Sequence, residues 1–241
     1  VWEYPDYSKD YVVSADVSRG DGSDFSAFHV FDIEQMEQVA EYKGKIGTKD
    51  FGNMCVSVAT EYNKALLIVE NNNIGWSAIQ TIIDSEYPNL FYTSKDLTYV
   101  DTARQITNRY RSTDRNMVPG FSMTSKTRPL VIAKLDEYFR EKSVKIHSQR
   151  LIDELFVFIY KNGKAIAMTG YNDDLVMSLA IGLWVRDTAL RLRAEGIELT
   201  KRSLDYFQSH QAIYDEGSEH ENDSWKMDVG KEQEDLTWLI K

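Results

Sequence analysis

Two apolar segments of this chain end directly in a carboxylate. Tyr-Val-Val-Ser-Ala runs into Asp16, and Ala-Leu-Leu-Ile-Val runs into Glu70. Far downstream, Asn172-Asp173-Asp174 opens a third, strongly apolar segment. Taken singly, each acid has an ordinary explanation. Aspartate closes strands as a turn former, and acids at a helix start interact favourably with its dipole. Glu70 is less ordinary, because glutamate is a poor strand former and here follows five apolar residues. The joint order, strand-end Asp, strand-end Glu and helix-start Asp pair, is much rarer than any one of them. If the first two segments are neighbouring strands, Asp16 and Glu70 leave the sheet at the same end and the helix start can close over them. Carboxylates brought that close repel one another unless a divalent cation lies between them. An all-oxygen set suits Mg²⁺ or Mn²⁺ better than zinc. Cys55 and the scattered His29, His147, His210 and His220 form no zinc pattern. Two such ions, roughly 3.5–4 Å apart, activate a water and neutralise the non-bridging oxygens of a phosphodiester. Asp24, eight residues after Asp16, is equally ordinary by itself.

The elements that must position these acids follow from the pattern. Tyr11–Asp16, Ala27–Phe31 and Gln38–Tyr42 read as three strands of an antiparallel meander, with Ser18–Asp24 as a turn. Thr48 is placed to cap a helix carrying Phe51, Met54, Cys55, Val58, Ala59 and Tyr62 on one face. Ala65–Val69 is a continuous apolar run, as in a strand buried on both faces. A turn at Asn71–Gly75, a helix over Trp76–Ser85 and a short strand at Leu90–Tyr92 follow. Ser94–Pro129 lacks periodicity and reads as a long loop with room for a hairpin, and loops of that length are usually functional or mobile. Beyond it come a helix through Leu130–Phe139, a short extended piece at Val144–Ile146 and a helix at Gln149–Leu155. Next is a hairpin, Val157–Tyr160 with Ala165–Met168, turning at Asn162-Gly163. The strongest helix spans Asp173–Arg193, and Glu198–His210 is placed to hold one more. Strands first, a helical crossover to a parallel strand and further helices predict an α/β layered domain: a central mixed sheet, antiparallel meander plus parallel strands, flanked by helices. Residues 1–10 read as an extension or linker, 11–210 as the domain and 211–241 as an acidic, mobile tail.

The formal net charge is −10, which by itself disfavours a nucleic-acid partner. The charge is unevenly placed. Acids crowd the stretch after Asp215, whereas Arg104, Arg109, Arg111, Arg115, Lys126 and Arg128 face only Asp114. That basic stretch is the candidate grip on DNA phosphates. No apolar run reaches membrane-spanning length, no signal peptide is visible, and a lone cysteine predicts a reducing compartment. Gly20-Asp21-Gly22 lies in a turn between strands and is lined by acids, so it is not a dinucleotide fingerprint, and no phosphate-binding loop with lysine is present.

Three segments together, Ser14-Ala15-Asp16-Val17-Ser18-Arg19-Gly20 through Asp24, Ile68-Val69-Glu70-Asn71-Asn72, and Gly170-Tyr171-Asn172-Asp173-Asp174-Leu175-Val176-Met177-Ser178-Leu179, resemble the nuclease domain of the large terminase subunit of tailed bacteriophages. The resemblance covers about Tyr11 to Arg193, and Gly120–Leu135 with Thr127-Arg128-Pro129 adds to it. It implies an RNase H-like fold and metal-dependent, largely sequence-independent cutting of double-stranded DNA at the start and end of genome packaging. The family's Asp–Glu–Asp triad maps onto Asp16, Glu70 and Asp174, with Asp173 sharing the metal and Asp24 in support. Asn172 stands where family members often carry His, so no proton transfer is expected from that position. The resemblance further implies an excised domain that works beside an ATPase motor, a small terminase subunit and a portal, in the cytoplasm of an infected bacterial host. The same acids would also serve another RNase H-like enzyme, a junction resolvase or a strand-transfer protein. A non-catalytic DNA-gripping module of a packaging motor is the alternative outside enzymes.

Overall fold

Segments rich in valine, alanine and aromatic residues form strands β1 (Tyr11–Asp16), β2 (Ser26–Asp32) and β3 (Glu37–Gly44), each antiparallel to the next. Helix α1 (Thr48–Glu61) then crosses to β4 (Leu66–Val69), which pairs parallel with β1, giving the order β3-β2-β1-β4. The structure is a computed structural model that describes residues 1–20, 24–72, 74–94, 117–161 and 163–187, with the backbone of 226–229 and 232–235. The chain divides into two units, Val1–Glu195 and Gly196–Lys241.

Within the first unit, helix α2 (Gly75–Asp84), strands β5 (Tyr92–Ser94) and β6 (Met117–Pro119), and helices α3 (Thr127–Arg140) and α4 (Gln149–Phe156) follow β4. A hairpin of β7 (Phe158–Lys161) and β8 (Lys164–Ala167) leads to helix α5, residues 174–187. In the second unit, β9 (Lys226–Val229) and β10 (Glu232–Asp235) form an antiparallel hairpin inside the segment read from sequence as an acidic tail. The predicted helix at Glu198–His210 and the end of the predicted Asp173–Arg193 helix lie outside the described residues.

Strand alternation sorts the core into two layers. Tyr11, Val13 and Ala15 of β1 and Leu67 and Val69 of β4 pack with Phe51, Cys55, Ala59, Ile79 and Ile82 of α1 and α2. Val12, Leu66 and Ile68 face the opposite way, onto α3, α4 and α5 through Val131, Leu135, Leu151, Leu175 and Leu179. The sheet is therefore covered on both faces, which explains why β4 is a continuous apolar run. Residues 1–10 are tied back to this body: the Trp2 N–H donates to the Val39 carbonyl (2.8 Å) and the Tyr62 hydroxyl to that of Glu3 (2.8 Å). Among the described residues, no helix is long and apolar enough to cross a membrane.

Several boundaries differ from those read in the sequence. Thr48 is the first residue of α1 rather than its cap; Gly47 holds that position, and the Thr48 hydroxyl bonds Ser77 Oγ of α2 instead. Pro129, taken as the end of a loop, lies in the first turn of α3, where its missing N–H would have had no helical partner. Leu90 makes only an isolated parallel bridge to Leu67, and the strand proper begins at Tyr92.

A buried polar chain joins the layers. Gln38 Oε1 accepts from the His147 and Ser148 N–H groups (both 2.9 Å) at the start of α4, while Gln38 Nε2 meets His29 Nδ1 at 2.8 Å. His29 Nε2 lies 3.0 Å from the Leu175 carbonyl of α5. A carbonyl only accepts, so His29 carries its proton on Nε2 and receives from Gln38 at Nδ1. Burial pushes the His29 pKa down to about 4; Glu41 opposes this and Arg150 reinforces it. The unfolded chain binds this proton near pH 6.5. Between about 6.5 and 4 the unfolded state therefore holds more protons, and stability falls as pH falls. We expect a His29→Gln variant to lack that contribution. The difference between its stability and that of the parent, from urea midpoints at pH 7, 6 and 5, should change by up to about 1.4 kcal/mol per unit. Equal pH dependence in both would contradict the assignment.

Candidate active site

The same alternation carries the acids. On β1 the residues facing α5 are Val12, Ser14 and Asp16; on β4 they are Leu66 and Ile68, followed by Glu70. Asp16 and Glu70 lie one residue beyond the parallel pair Ala15–Val69, and the Glu70 N–H donates to the Ala15 carbonyl (3.0 Å). On the other side, Asp16 pairs with Ala27 of β2, and Ala27 with Lys43 of β3. One cross-strand row therefore reads Lys43, Ala27, Asp16, Glu70 on a single face. Glu70 is locked from its far side as well, by a bridge to Phe121. Above it, Gly75 opens α2 so close to the Glu70 carbonyl that a Cβ would stand 1.9 Å from its oxygen, which no side chain tolerates.

Helix α5 closes over this row because its first turns are pinned to the sheet. The Ser14 hydroxyl donates to the Ser178 carbonyl, and His29 holds that of Leu175. Gly182 lets the helix approach: a Cβ there would lie 3.0 Å from Ser14 Cβ. The exposed helix-start donors are met by α4, where Glu154 Oε2 accepts from the Leu175 (2.9 Å) and Val176 (3.2 Å) N–H groups. Glu154 Oε1 in turn bonds Lys43 Nζ.

The result is a cavity of about 420 Å³ lined by Asp16, Val17, Ser18, Arg19, Asp24, Glu70, Asn72, Ile74, Tyr171, Asn172, Asp173 and Asp174. Asp174 Oδ2 accepts from the Phe25 N–H (3.1 Å) and Asn172 Nδ2 (3.2 Å), with Lys43 Nζ at 3.9 Å. Asn172 Nδ2 also lies 3.5 Å from Asp24 Oδ1. Asn72 Nδ2 donates to Glu70 Oε1 and to the Met123 carbonyl (both 2.8 Å). Arg128 Nη2 donates to Asp173 Oδ2 at 2.8 Å. Burial pushes the Asp16 carboxyl well above the usual range, and the charges of Glu70, Asp174 and Asp173 push it further. Burial also raises Glu70, against Arg128, Asn72 and a hydrogen bond shared with Asp16. Asp174 is raised by burial, against its bonds to Phe25 and Asn172.

The oxygen donors and their mutual repulsion fit a hard divalent cation. Among the described residues, no three acidic, His or Cys side chains already converge as a finished metal cage. Arg128 and the partners of Asp174 hold those two acids individually.

Asp16, Glu70, Asp173, Asp174 and Asp24 all reach this cavity. Of the basic residues, Lys126 is exposed just ahead of α3, and Arg128 is engaged with Asp173 rather than turned to solvent. Arg104, Arg109, Arg111 and Arg115 lie outside the described residues. Sequence reasoning passed over Arg19, Asn72, Lys43 and Glu154. Glu154 did leave a signal: it sits between Leu151 and Leu155 on the buried side of α4, where a carboxylate requires a partner.

No family model matches the sequence. The fold is similar to that of solved phage nucleases. The large terminase nuclease from thermophilic phage G20c with bound magnesium is 17% identical, with 75% of this chain and 84% of that one covered at a TM-score of 0.56. The same protein with bound cobalt is 18% identical over 75% and 84%, with a TM-score of 0.55. The Thermus phage P74-26 large terminase nuclease domain is 19% identical over 75% and 81%, with a TM-score of 0.52. At such identity the likeness is one of fold, and the fold is the α/β, RNase H-like arrangement that the motif resemblance implied.

The Arg128–Asp173 pair is about one-third exposed at each end, at 34% and 30%. Solvent screening therefore limits its worth to below about 1 kcal/mol. Arg128→Met should lower the urea-derived stability by no more than that, and a double-mutant cycle with Asp173→Asn should give a coupling of the same size. A coupling several-fold larger would show the pair to be a structural anchor.

Proposed function

We propose that this chain is a divalent-metal-dependent endonuclease that cuts double-stranded DNA at the start and end of phage genome packaging. The observation that carries the reading is the gathering of Asp16, Glu70, Asp173 and Asp174, from two strand ends and one helix start, around one cavity. The RNase H-like fold shared with phage terminase nucleases, one of them solved both with bound magnesium and with bound cobalt, supports it. In this reading Asp16, Glu70 and Asp174 would hold two ions, Mg²⁺ or Mn²⁺, with Asp173 assisting. Bound there, the ions would supply an activated water and charge neutralisation at the scissile phosphate.

The chain's own residues orient and exclude. Asn72 holds Glu70, and Phe25 and Asn172 hold Asp174, so both carboxylates are oriented by neighbours on the chain. Asn172 has no titrating proton, which leaves it a positioning part. Among the described residues, exposed Lys126 and Arg19, which lines the cavity, are the candidates to meet phosphates. The basic stretch holding Arg104, Arg109, Arg111 and Arg115 would extend that grip, and a phosphate nearby would compete with Asp173 for Arg128. In the same reading, an ATPase motor, a small terminase subunit and a portal would be the working partners, in the cytoplasm of an infected host.

Incubation with supercoiled plasmid, with and without Mg²⁺ or Mn²⁺, tests the activity; four-way junctions and linear duplex run in parallel test the substrate. Metal-dependent nicking of plasmid and duplex is expected, and cutting confined to junctions would favour a resolvase. Asp16→Asn should lower the rate by more than about a hundredfold, exceeding what loss of an outer partner of a metal ligand costs. It should fold normally, because one of the mutually repelling charges is gone. Cutting at the parent rate would refute the assignment. Duplex affinity should fall steeply with salt if phosphate contacts dominate, and a flat response would exclude the basic residues as the grip.

A further inference from the structure

Lys43 stands 3.9 Å from Asp174 Oδ2, close enough to neutralise the very carboxylate that the metal reading needs. It does not settle there: its ammonium bonds Glu154 Oε1 and lies over the Phe25 ring, 4.8 Å from the centroid. Glu154 is itself doubly fixed, because its other oxygen accepts both the Leu175 and the Val176 N–H groups, the two donors directly after Asp174. One buried carboxylate therefore does two things at once. It closes the open start of α5, which sets the direction of Asp173 and Asp174, and it holds a lysine away from Asp174.

We infer that Glu154 is a positioning residue for metal binding, acting by sequestering Lys43 so that Asp174 stays open to a divalent cation. The inference rests on the metal reading of the cavity and adds a residue on α4, outside the Asp–Glu–Asp set. The physical reason is competition. An ammonium and a divalent ion are alternative counter-charges for one carboxylate, and the nearer fixed charge wins unless something stronger holds it. A charge-assisted bond to a buried carboxylate is such a hold. The cross-strand row shows why a lysine is there at all. Ala27, the only residue between Lys43 and Asp16, is too small to screen the basic end of the row from the acidic one.

Glu154→Gln separates the two roles. The amide oxygen still accepts from Leu175 and Val176, so the helix start keeps its cap, but the NH₂ group now faces Lys43 and repels it. The freed ammonium has Asp174 as its nearest partner. Mn²⁺ binding to the intact chain, measured by titration calorimetry without DNA, should weaken by about tenfold or more in Glu154→Gln, the scale on which partners of metal ligands act. The urea midpoint should show that the variant is folded. Removing the competitor in the same background, Lys43→Met with Glu154→Gln, should restore affinity to within a few-fold of the parent. A purely structural role for Glu154 would not be rescued in this way. Lys43→Met alone, which leaves the cap untouched, should bind Mn²⁺ at least as tightly as the parent. Unchanged affinity in Glu154→Gln, failure of the double variant to recover, or weakened binding in Lys43→Met each overturns the inference while leaving the metal reading in place. A parent chain that takes up no Mn²⁺ overturns that reading, and the inference with it.

Discussion

The seating of helix α5 on the sheet is the constraint from which the site follows. A helix start exposes N–H groups without partners, and burying it beside acidic strand ends is costly unless each polar group is met. Here the cost is offset from three directions. Glu154 takes the first free N–H groups, His29 and Ser14 take carbonyls further along, and Gly182 removes the side chain that would hold the helix off Ser14. Every one of these contacts is buried, so the helix has little freedom to slide, and Asp173 and Asp174 inherit that fixity.

The strands impose a matching constraint. Parallel pairing of β1 with β4 puts two chain ends at one end of the sheet, and the period of two sends Asp16 and Glu70 to the α5 side. A shift of one residue in either strand would turn its acid toward α1 and α2 and end the convergence. The apolar cores on both faces hold the register, so packing far from the cavity determines the distances within it. The backbone around Glu70, clasped by Ala15, Phe121 and Gly75, extends the same rigidity to the sheet edge.

Charge balance around the cavity is uneven. The Asp16 pKa is raised by burial and by the neighbouring acids, whereas Asp173 and Asp174 have Arg128 and Lys43 at hand. The helix start is thus balanced by fixed charges borne on other elements.

Much of this was legible in the sequence. The meander, the parallel strand after a helical crossover, the hairpin at Asn162-Gly163 and the apolar helix after Asp174 are written in local periodicity and turn residues, since backbone and burial requirements act over a few residues. The positions of Asp16, Glu70 and the Asp pair at element ends were readable for the same reason. Helix starts were read less well: Gly47 rather than Thr48 precedes α1, and Pro129 lies inside α3, because a cap is chosen by what surrounds it as well as by its own type. What no local pattern could supply is pairing across distance. Lys43 beside Asp174, Glu154 on the first turn of α5, Gln38 joined to His29 and Arg128 on Asp173 link residues that meet only after the sheet is covered by its helices. The sequence by itself determined which acids end which elements. Tertiary structure alone decided which cations and donors surround them, because side-chain electrostatics depends on distances that exist only once the layers have packed.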